Sequence, residues 1–198
     1  MQTFDPRFLT YYQDIVCPDL LLKLPVQSIH QLPKIQKVVL HSSSGNTAQD
    51  KKRVLPVLLG FEYLTGQKPA IIWSKKSIAS FRLRKDSLLG CRVTLRNGSL
   101  FSFFEKYVAY YLPRIYDWQT LSQSEKQRSP EASCGHRDPF LFFELETLSE
   151  SLQNFQGFQL SWQIASTDFS KDKISETSIN HLIFSAFQYI FYKKLCKL

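Results

Sequence analysis

The 198-residue chain has the length of a single domain, and its apolar content of 43% is enough for a sizeable core. Its net charge of +8 makes polyanions the natural partners, whether RNA, DNA or an acidic membrane face. The sequence has no apolar run of about 18 residues and no signal-peptide core at its start, so we expect neither a membrane span nor a secretory leader.

Hydrophobic periodicity predicts the element order α-β-α-β-β-α-β-β-α. Helices are expected at residues 6–24, 47–66, 99–112 and 175–195. The first lies in an N-terminal segment, 1–27, and the last in a C-terminal segment, 175–198. The second begins at Thr47, which pairs with Asp50 as a cap, and ends at Gly66. Strands are expected at residues 35–40, 70–73, 89–96, 140–145 and 157–165. Between them lie a basic protruding loop, 74–87, and a variable loop, 119–138, expected to be mobile from 122 to 138. The pattern predicts one α+β domain over residues 1–198, with a mostly antiparallel sheet and helices packed on one face.

Positive charge is concentrated in one stretch of the chain. From Lys75 to Arg96, seven basic residues stand against a single acid, so 22 residues carry +6 of the net charge of +8. In the strand within this stretch, alternation predicts one face for the core and the opposite face for phosphates. The inward set is Cys91, Val93 and Leu95, and the outward set is Arg92, Thr94 and Arg96.

The loop before that strand mixes cations with hydroxyl groups and one aromatic ring. Its members are Lys75, Lys76, Ser77, Ser80, Phe81, Arg82, Arg84 and Lys85. Such a mixture is typical of RNA contacts, with cations on phosphates and hydroxyls or the ring on sugar or base. A solvated surface loop is the alternative interpretation.

The residue types that carry catalysis or bind metals are scattered. The four cysteines form no CxxC pair, and the four histidines have no carboxylate or cysteine at a ligand spacing. They are Cys17, Cys91, Cys134, Cys196, His30, His41, His136 and His181. The run Ser42-Ser43-Ser44-Gly45 lacks the rest of a phosphate-binding loop. We therefore predict no metal, no cofactor and no enzymatic activity, with the histidines at the surface or in local hydrogen bonds.

Several motifs occur in a fixed order between Leu32 and Trp118. They are DKK at 50–52, GQKP at 66–69, KSIASFRLR at 76–84, GCRVTLR at 90–96 and LPRIYD at 112–117. In these motifs the chain resembles ribosomal protein five of the large subunit. The GCRVTLR form resembles the bacterial and organellar branch of that family.

The resemblance implies an α+β protein of the central protuberance that binds 5S ribosomal RNA and, through residues 74–85, the elbow of the P-site transfer RNA. Of three polar positions that the family places at the 5S RNA, Gln67 and Thr94 match, whereas His41 stands in place of an asparagine. An imidazole cannot donate and accept from one group as an amide does. The predicted rRNA-binding residues are His41, Ser42, Gln67, Lys68, Arg92, Thr94 and Arg96. The predicted tRNA-binding residues are Lys75, Lys76, Ser77, Ser80, Phe81, Arg82 and Arg84.

Beyond Trp118 the likeness weakens. The family's phenylalanine-aspartate-glycine-arginine-glycine-asparagine stretch is absent, so the intersubunit bridge does not carry over and a small-subunit head protein is a candidate partner only. The other expected partners are large-subunit rRNA and neighbouring proteins of the central protuberance, with no membrane and no second copy of the chain. The weaker likeness and the 16 Phe and 9 Tyr favour a mitochondrial ribosome over a plastid one.

Three other functions stay open. An RNA-binding regulator outside the ribosome would share the basic loop, and an enzyme acting on RNA would need a nucleophile, base or metal cluster that the sequence does not offer. A peripheral membrane protein would use the C-terminal stretch 182–198. An ordinary core-facing stripe is the favoured interpretation of that stretch: Ile179, Leu182, Ile183, Ala186 and Ile190.

Overall fold

The computed structural model describes residues 6–24, 26, 28–43, 54–81, 83–115, 131–153, 155, 157–165, 182–183 and 186–187. The chain divides into two compact units. The first comprises Met1–Val38, Arg96–Cys134 and Ser161–Leu198, and the second Val39–Leu95 and Gly135–Leu160. The single domain expected over residues 1–198 stays a prediction.

Five strands form one antiparallel sheet, so the predicted α+β class is confirmed. The strands are β1 (Lys34–Ser43), β2 (Ala70–Trp73), β3 (Leu88–Leu95), β4 (Glu131–His136) and β5 (Phe158–Ala165). They lie in the order β2-β3-β1-β5-β4, which makes β1 the central strand and β2 and β4 the edges. Four of the predicted strands are confirmed, with ends shifted by a few residues.

The fourth strand was predicted in the wrong place. Residues 140–145 form a 3-10 turn (Pro139–Leu141) and a short helix, α6 (Phe143–Glu146), while the strand is β4, inside the stretch expected to be a mobile loop. Pro139 favours a first helical turn, because its fixed φ suits that position and its missing N–H has no partner to lose there. Buried Phe142 and Leu145 are three residues apart, which is a helical spacing. Residues 122–130 lie outside the described part of the chain.

The helices predicted at residues 6–24 and 99–112 are confirmed, and each is interrupted by a π-helical turn. The first runs as α1 (Arg7–Tyr11), a π turn (Tyr12–Val16) and α2 (Cys17–Lys23), and the other as α4 (Asn97–Lys106), a π turn (Tyr107–Tyr111) and α5 (Leu112–Arg114). Each π turn ends two residues before a proline, Pro18 or Pro113. A proline lacks the N–H for the helical ladder and its ring presses on the preceding turn, so a widened turn accommodates it.

The core of the first unit is aromatic. The ring of Phe104 lies 4.8 Å from that of Trp162, 5.0 Å from Phe187 and 5.5 Å from Phe8. Buried residues face more than one side of α4, as its sequence predicted. The Tyr11 hydroxyl donates to the carbonyl of Ala186, at 3.1 Å.

The C-terminal helix expected at 175–195 lies mostly outside the described residues. Leu182, Ile183 and Ala186 are helical, and Ile183 is buried, as in the core-facing interpretation. Among the residues that the structure describes, no helix is both long and apolar enough to span a bilayer.

In the second unit, α3 (Val54–Thr65) packs its buried face against a phenylalanine cluster. The ring of Phe61 lies 5.3 Å from Phe155 and 6.5 Å from Phe158. Gly66, at φ +67°, follows the helix and donates its N–H to the carbonyl of Glu62, so it ends the helix as the sequence predicted. The start expected at Thr47, with its cap at Asp50, lies outside the described residues.

Candidate nucleic-acid interface

Strand β3 has the two faces that alternation predicted. Cys91, Val93 and Leu95 are buried, whereas Arg92 is exposed and Thr94 is half-buried. Burial raises the pKa of the Cys91 thiol to about 12, so this group stays protonated and unreactive at neutral pH. The outward face of β3 therefore carries a free guanidinium and a hydroxyl.

Arg96 lies just past β3 and belongs to the first unit. It is exposed and is the last residue before α4.

The connection between α3 and β2 positions Gln67 and Lys68. The N–H of Gln67 donates to Oγ1 of Thr65, at 3.3 Å, and that hydroxyl donates in turn to the carbonyl of Phe61, at 2.7 Å. Gln67 is half-buried and Lys68 is exposed. The end of the helix thus holds the backbone of Gln67 in place and leaves part of its amide accessible.

Among the predicted site residues that the structure describes, Ser42 alone has its side chain turned inward. It is 6% exposed, and its hydroxyl donates to the carbonyl of Gly157, at 2.5 Å. Its neighbour His41 is half-buried. Period-two alternation along β1 puts the side chain of His41 on the opposite face of the sheet from that of Ser42.

The basic loop of residues 74–87 is a closed structure in its described part. At its base, the N–H of Ser74 donates to the carbonyl of Ser87 at 2.8 Å, and the N–H of Asp86 donates to the carbonyl of Ser74 at 3.0 Å. Nearer the tip, Ile78 and Leu83 exchange two backbone hydrogen bonds of 3.0 and 3.1 Å. A 3-10 turn, Ala79–Phe81, forms the tip.

This closed loop presents cations and one ring to solvent. Phe81 at the tip is 70% exposed. The other exposed predicted residues are Lys75, Lys76, Ser77, Ser80 and Arg84, while Arg82 lies outside the described residues. The Ser77 hydroxyl donates to the carbonyl of Leu83, at 3.1 Å, so its oxygen is left to accept a further hydrogen bond.

In the part of the chain that the structure describes, the exposed cations of the loop and of β3 form no ion pair. The pairs present there include Lys23 with Asp19 and Arg7 with Glu105. An exposed cation without a protein partner keeps its full charge for a phosphate. These residues can bind a polyanion, with Phe81 available to stack on a base.

One exposed residue of the sheet was missed by sequence reasoning. Strand β5 buries Phe158, Leu160, Trp162 and Ile164, as alternation predicted, and turns Gln159 to solvent. Its sequence shows that Gln159 faces outward. That β5 pairs with β1 is visible only in the strand order.

His136 is not at the surface. The sequence left a surface position or a local hydrogen bond open for it, within a variable loop. It lies instead at the end of β4 and is 6% exposed, which rules out the surface position. Its ring centroid is 5.0 Å from that of Phe158. Burial lowers the pKa of His136 from 6.5 to about 4, so it is neutral at physiological pH.

We expect His136 to make stability fall in mild acid. The folded pKa lies below the unfolded one, so the stabilisation is complete above pH 6.5 and is lost as the pH falls toward 4. The loss amounts to about 3 kcal/mol at most. Urea unfolding of His136→Gln across this range should give a flatter pH profile, whereas exposed His30→Gln should behave like the parent. Equal slopes in all three proteins would contradict a buried neutral imidazole.

No metal or cofactor site emerges from the residues described. Within them, no three histidine, cysteine, aspartate or glutamate side chains lie close enough together to hold a metal ion. Of the cysteines described, Cys17, Cys91 and Cys134 form no disulfide.

Comparison with known proteins gives consistent matches along the chain. A family model described as "Ribosomal protein L5" matches residues 28–84, and a second model, for the C-terminus of the same ribosomal family, matches residues 88–189. Large ribosomal subunit protein uL5m of Prototheca wickerhamii is 33% identical over 193 residues, covering 93% of this chain and 83% of the relative. That mitochondrial relative supports an organellar ribosome.

Bacterial relatives give similar matches. Large ribosomal subunit protein uL5 of Tropheryma whipplei is 29% identical over 172 residues, covering 87% of this chain and 92% of the relative. The uL5 protein of Buchnera aphidicola is 34% identical over 139 residues, covering 70% of this chain and 78% of the relative. With two family models that match most of its length, the chain belongs to the ribosomal L5 family: it is a structural component of the large ribosomal subunit rather than an enzyme.

Proposed function

We propose that the chain binds 5S rRNA in the central protuberance and contacts the P-site tRNA through its basic loop. The observation that carries the proposal is the set of exposed cations on β3 and in the 74–87 loop that, among the residues described, form no ion pair with the protein. Binding is electrostatic at these positions, since each cation that neutralises a phosphate releases condensed counterions. Polar groups beside the cations then fix the orientation of the RNA.

In this proposal, one group of residues binds rRNA and the other binds tRNA. The rRNA surface comprises His41, Ser42, Gln67, Lys68, Arg92, Thr94 and Arg96, with Ser42 contributing its backbone because its hydroxyl is bound to Gly157. The tRNA surface comprises Lys75, Lys76, Ser77, Ser80, Phe81, Arg82 and Arg84. The loop carries an exposed ring and cations on a closed hairpin, which suits the stacked, curved surface of a folded RNA.

Family membership supports the wider setting of this proposal. Large-subunit rRNA and neighbouring proteins of the central protuberance complete the proposed surroundings, and a small-subunit head protein is a candidate partner only. The chain acts as a single copy and a single domain in this proposal. The mitochondrial relative and the aromatic composition favour a mitochondrial ribosome.

The test uses the chain expressed with a tag in cells that lack the native protein. On sucrose gradients we expect it to sediment with the large subunit and to carry 5S rRNA. Lys76→Gln combined with Arg84→Gln should still assemble, because both lie in the loop, but should weaken the binding of tRNA at the P site. Chemical footprinting of bound tRNA measures that effect.

Lys34→Gln combined with Arg137→Gln is the matched control, because both are exposed cations outside the proposed surfaces. It should behave like the parent in both assays. Absence of the loop variant from the large subunit would contradict the division between the two surfaces. A parent chain that sediments away from ribosomes, with some other RNA, would instead indicate a regulator outside the ribosome.

A further inference from the structure

The open face of the sheet extends beyond the residues assigned so far. In the second unit, β1 is hydrogen-bonded to β3 on one side and to β5 on the other. Polar residues of all three strands face outward at this end of the sheet, among them Arg92 from β3, His41 from β1 and Gln159 from β5. The strands of a sheet lie about 4.8 Å apart, so side chains on one face of neighbouring strands are within reach of a single ligand.

Two contacts align β1 with its neighbours. A Cβ added to Gly90 would collide with the carbonyl oxygen of Ser42 and lie 2.9 Å from Cα of Ser43, so Gly90 sits beside these residues. On the other side, the hydroxyl of Ser42 donates to the carbonyl of Gly157.

These contacts set the positions along the strands. Along β3, Arg92 lies two residues beyond Gly90, and along β1, His41 lies two residues before Ser43. Along β5, Gln159 follows Phe158, which is buried like Ser42, so Gln159 lies on the outward face, as His41 does. Because antiparallel neighbours run in opposite directions from these contacts, we place Arg92, His41 and Gln159 in a row on the outward face of three adjacent strands. The row continues to Ala70 of β2, which pairs directly with Arg92.

The chemistry of the row suits RNA. It contains a guanidinium for a phosphate, an imidazole and a carboxamide, and no carboxylate to repel a polyanion. A carboxamide both donates and accepts, which is the pairing that a base edge or a ribose 2′-hydroxyl offers. A glutamine in this position adds orientation and selectivity without adding charge.

We propose that Gln159 contacts the same rRNA as Arg92, through its side-chain amide. This inference rests on the proposed function and adds β5 to the binding face. The concentration of positive charge could not identify Gln159 as a binding residue, because a neutral amide contributes nothing to the net charge of +8.

The experiment measures binding of in vitro transcribed bacterial 5S rRNA to the purified full chain over a series of potassium chloride concentrations. Gln159→Ala should weaken binding about tenfold, the effect of one lost hydrogen bond that leaves its partner unsatisfied. The slope of log affinity against log salt should not change, because no phosphate contact is lost. Arg92→Gln should lower both affinity and slope.

Gln153→Ala is the matched control, since Gln153 is an exposed glutamine of the same unit outside the sheet. It should bind like the parent. Parent-like affinity in Gln159→Ala, together with weakened binding in Arg92→Gln, would overturn this inference and leave the proposed function standing. A parent chain without affinity for the RNA at any salt concentration would overturn both. Thermal unfolding of each variant shows whether a loss of binding reflects a loss of folding.

Discussion

Replacing Arg92 and Arg96 with glutamine is expected to weaken the binding of 5S rRNA and to flatten its salt dependence. The slope of log affinity against log salt should fall by about 0.7–0.9 for each phosphate contact that is lost. Both side chains are exposed, so the substitutions should leave folding unchanged. Titrations at several salt concentrations give the slope directly.

Lys34→Gln with Arg137→Gln provides the control for charge alone, because it removes the same two charges elsewhere. It should reduce affinity slightly through the lower net charge of the protein. If the two double variants gave the same slope, general attraction by the net charge would explain the binding. Arg92 and Arg96 would then lie outside the interface.

Replacing Gly157 with alanine should destabilise the second unit by about 3 kcal/mol, from backbone strain and overpacking together. Gly157 has φ +138°, a conformation that side chains rarely adopt. An added Cβ would also lie 2.6 Å from the carbonyl oxygen of His136, which is backbone and cannot move aside without disturbing β4. Urea unfolding measures the loss.

Gly98→Ala is the control for this substitution, because Gly98 lies in α4 with no atom within 4 Å of the added Cβ. It should be neutral or slightly stabilising, since alanine has the higher helix propensity. A Gly157→Ala variant as stable as the parent would mean that the backbone there adopts an ordinary φ without loss.

Sequence patterns correctly predicted the elements whose conformation depends on residues close together in the chain. The alternation of Arg92 with Cys91 and Val93 follows from the geometry of any strand with one buried face, so it was visible in the sequence. The helix over Asn97–Lys106 was equally visible, because its apolar residues recur at helical spacing.

Elements defined by distant pairing were harder to predict. Strand β4 is a polar edge strand, and pairing with β5, distant in sequence, decides its conformation. The apolar run at 140–145 was short enough to fit a strand or a helix, and Pro139 and the buried pair Phe142 and Leu145 favour the helix. Neither outcome could be read from periodicity alone.

The same limit applies to the candidate site. Residue types and charge pointed to Arg92 and to the loop cations, because cations suit phosphates wherever they are exposed. The inward turn of Ser42 and the position of Gln159 beside β1 depend on which strands are neighbours. That information lies in the sheet order and in no stretch of sequence by itself.

The hydrogen bonds that close the basic loop have a consequence for recognition. A chain segment that must become ordered when it binds loses conformational entropy, and this loss subtracts from affinity. With Ser74 joined to Ser87 and Ile78 joined to Leu83, much of that ordering has already occurred during folding. If the loop binds RNA as proposed, its closed backbone should therefore lower the entropy cost of binding and favour RNA surfaces that match its folded shape.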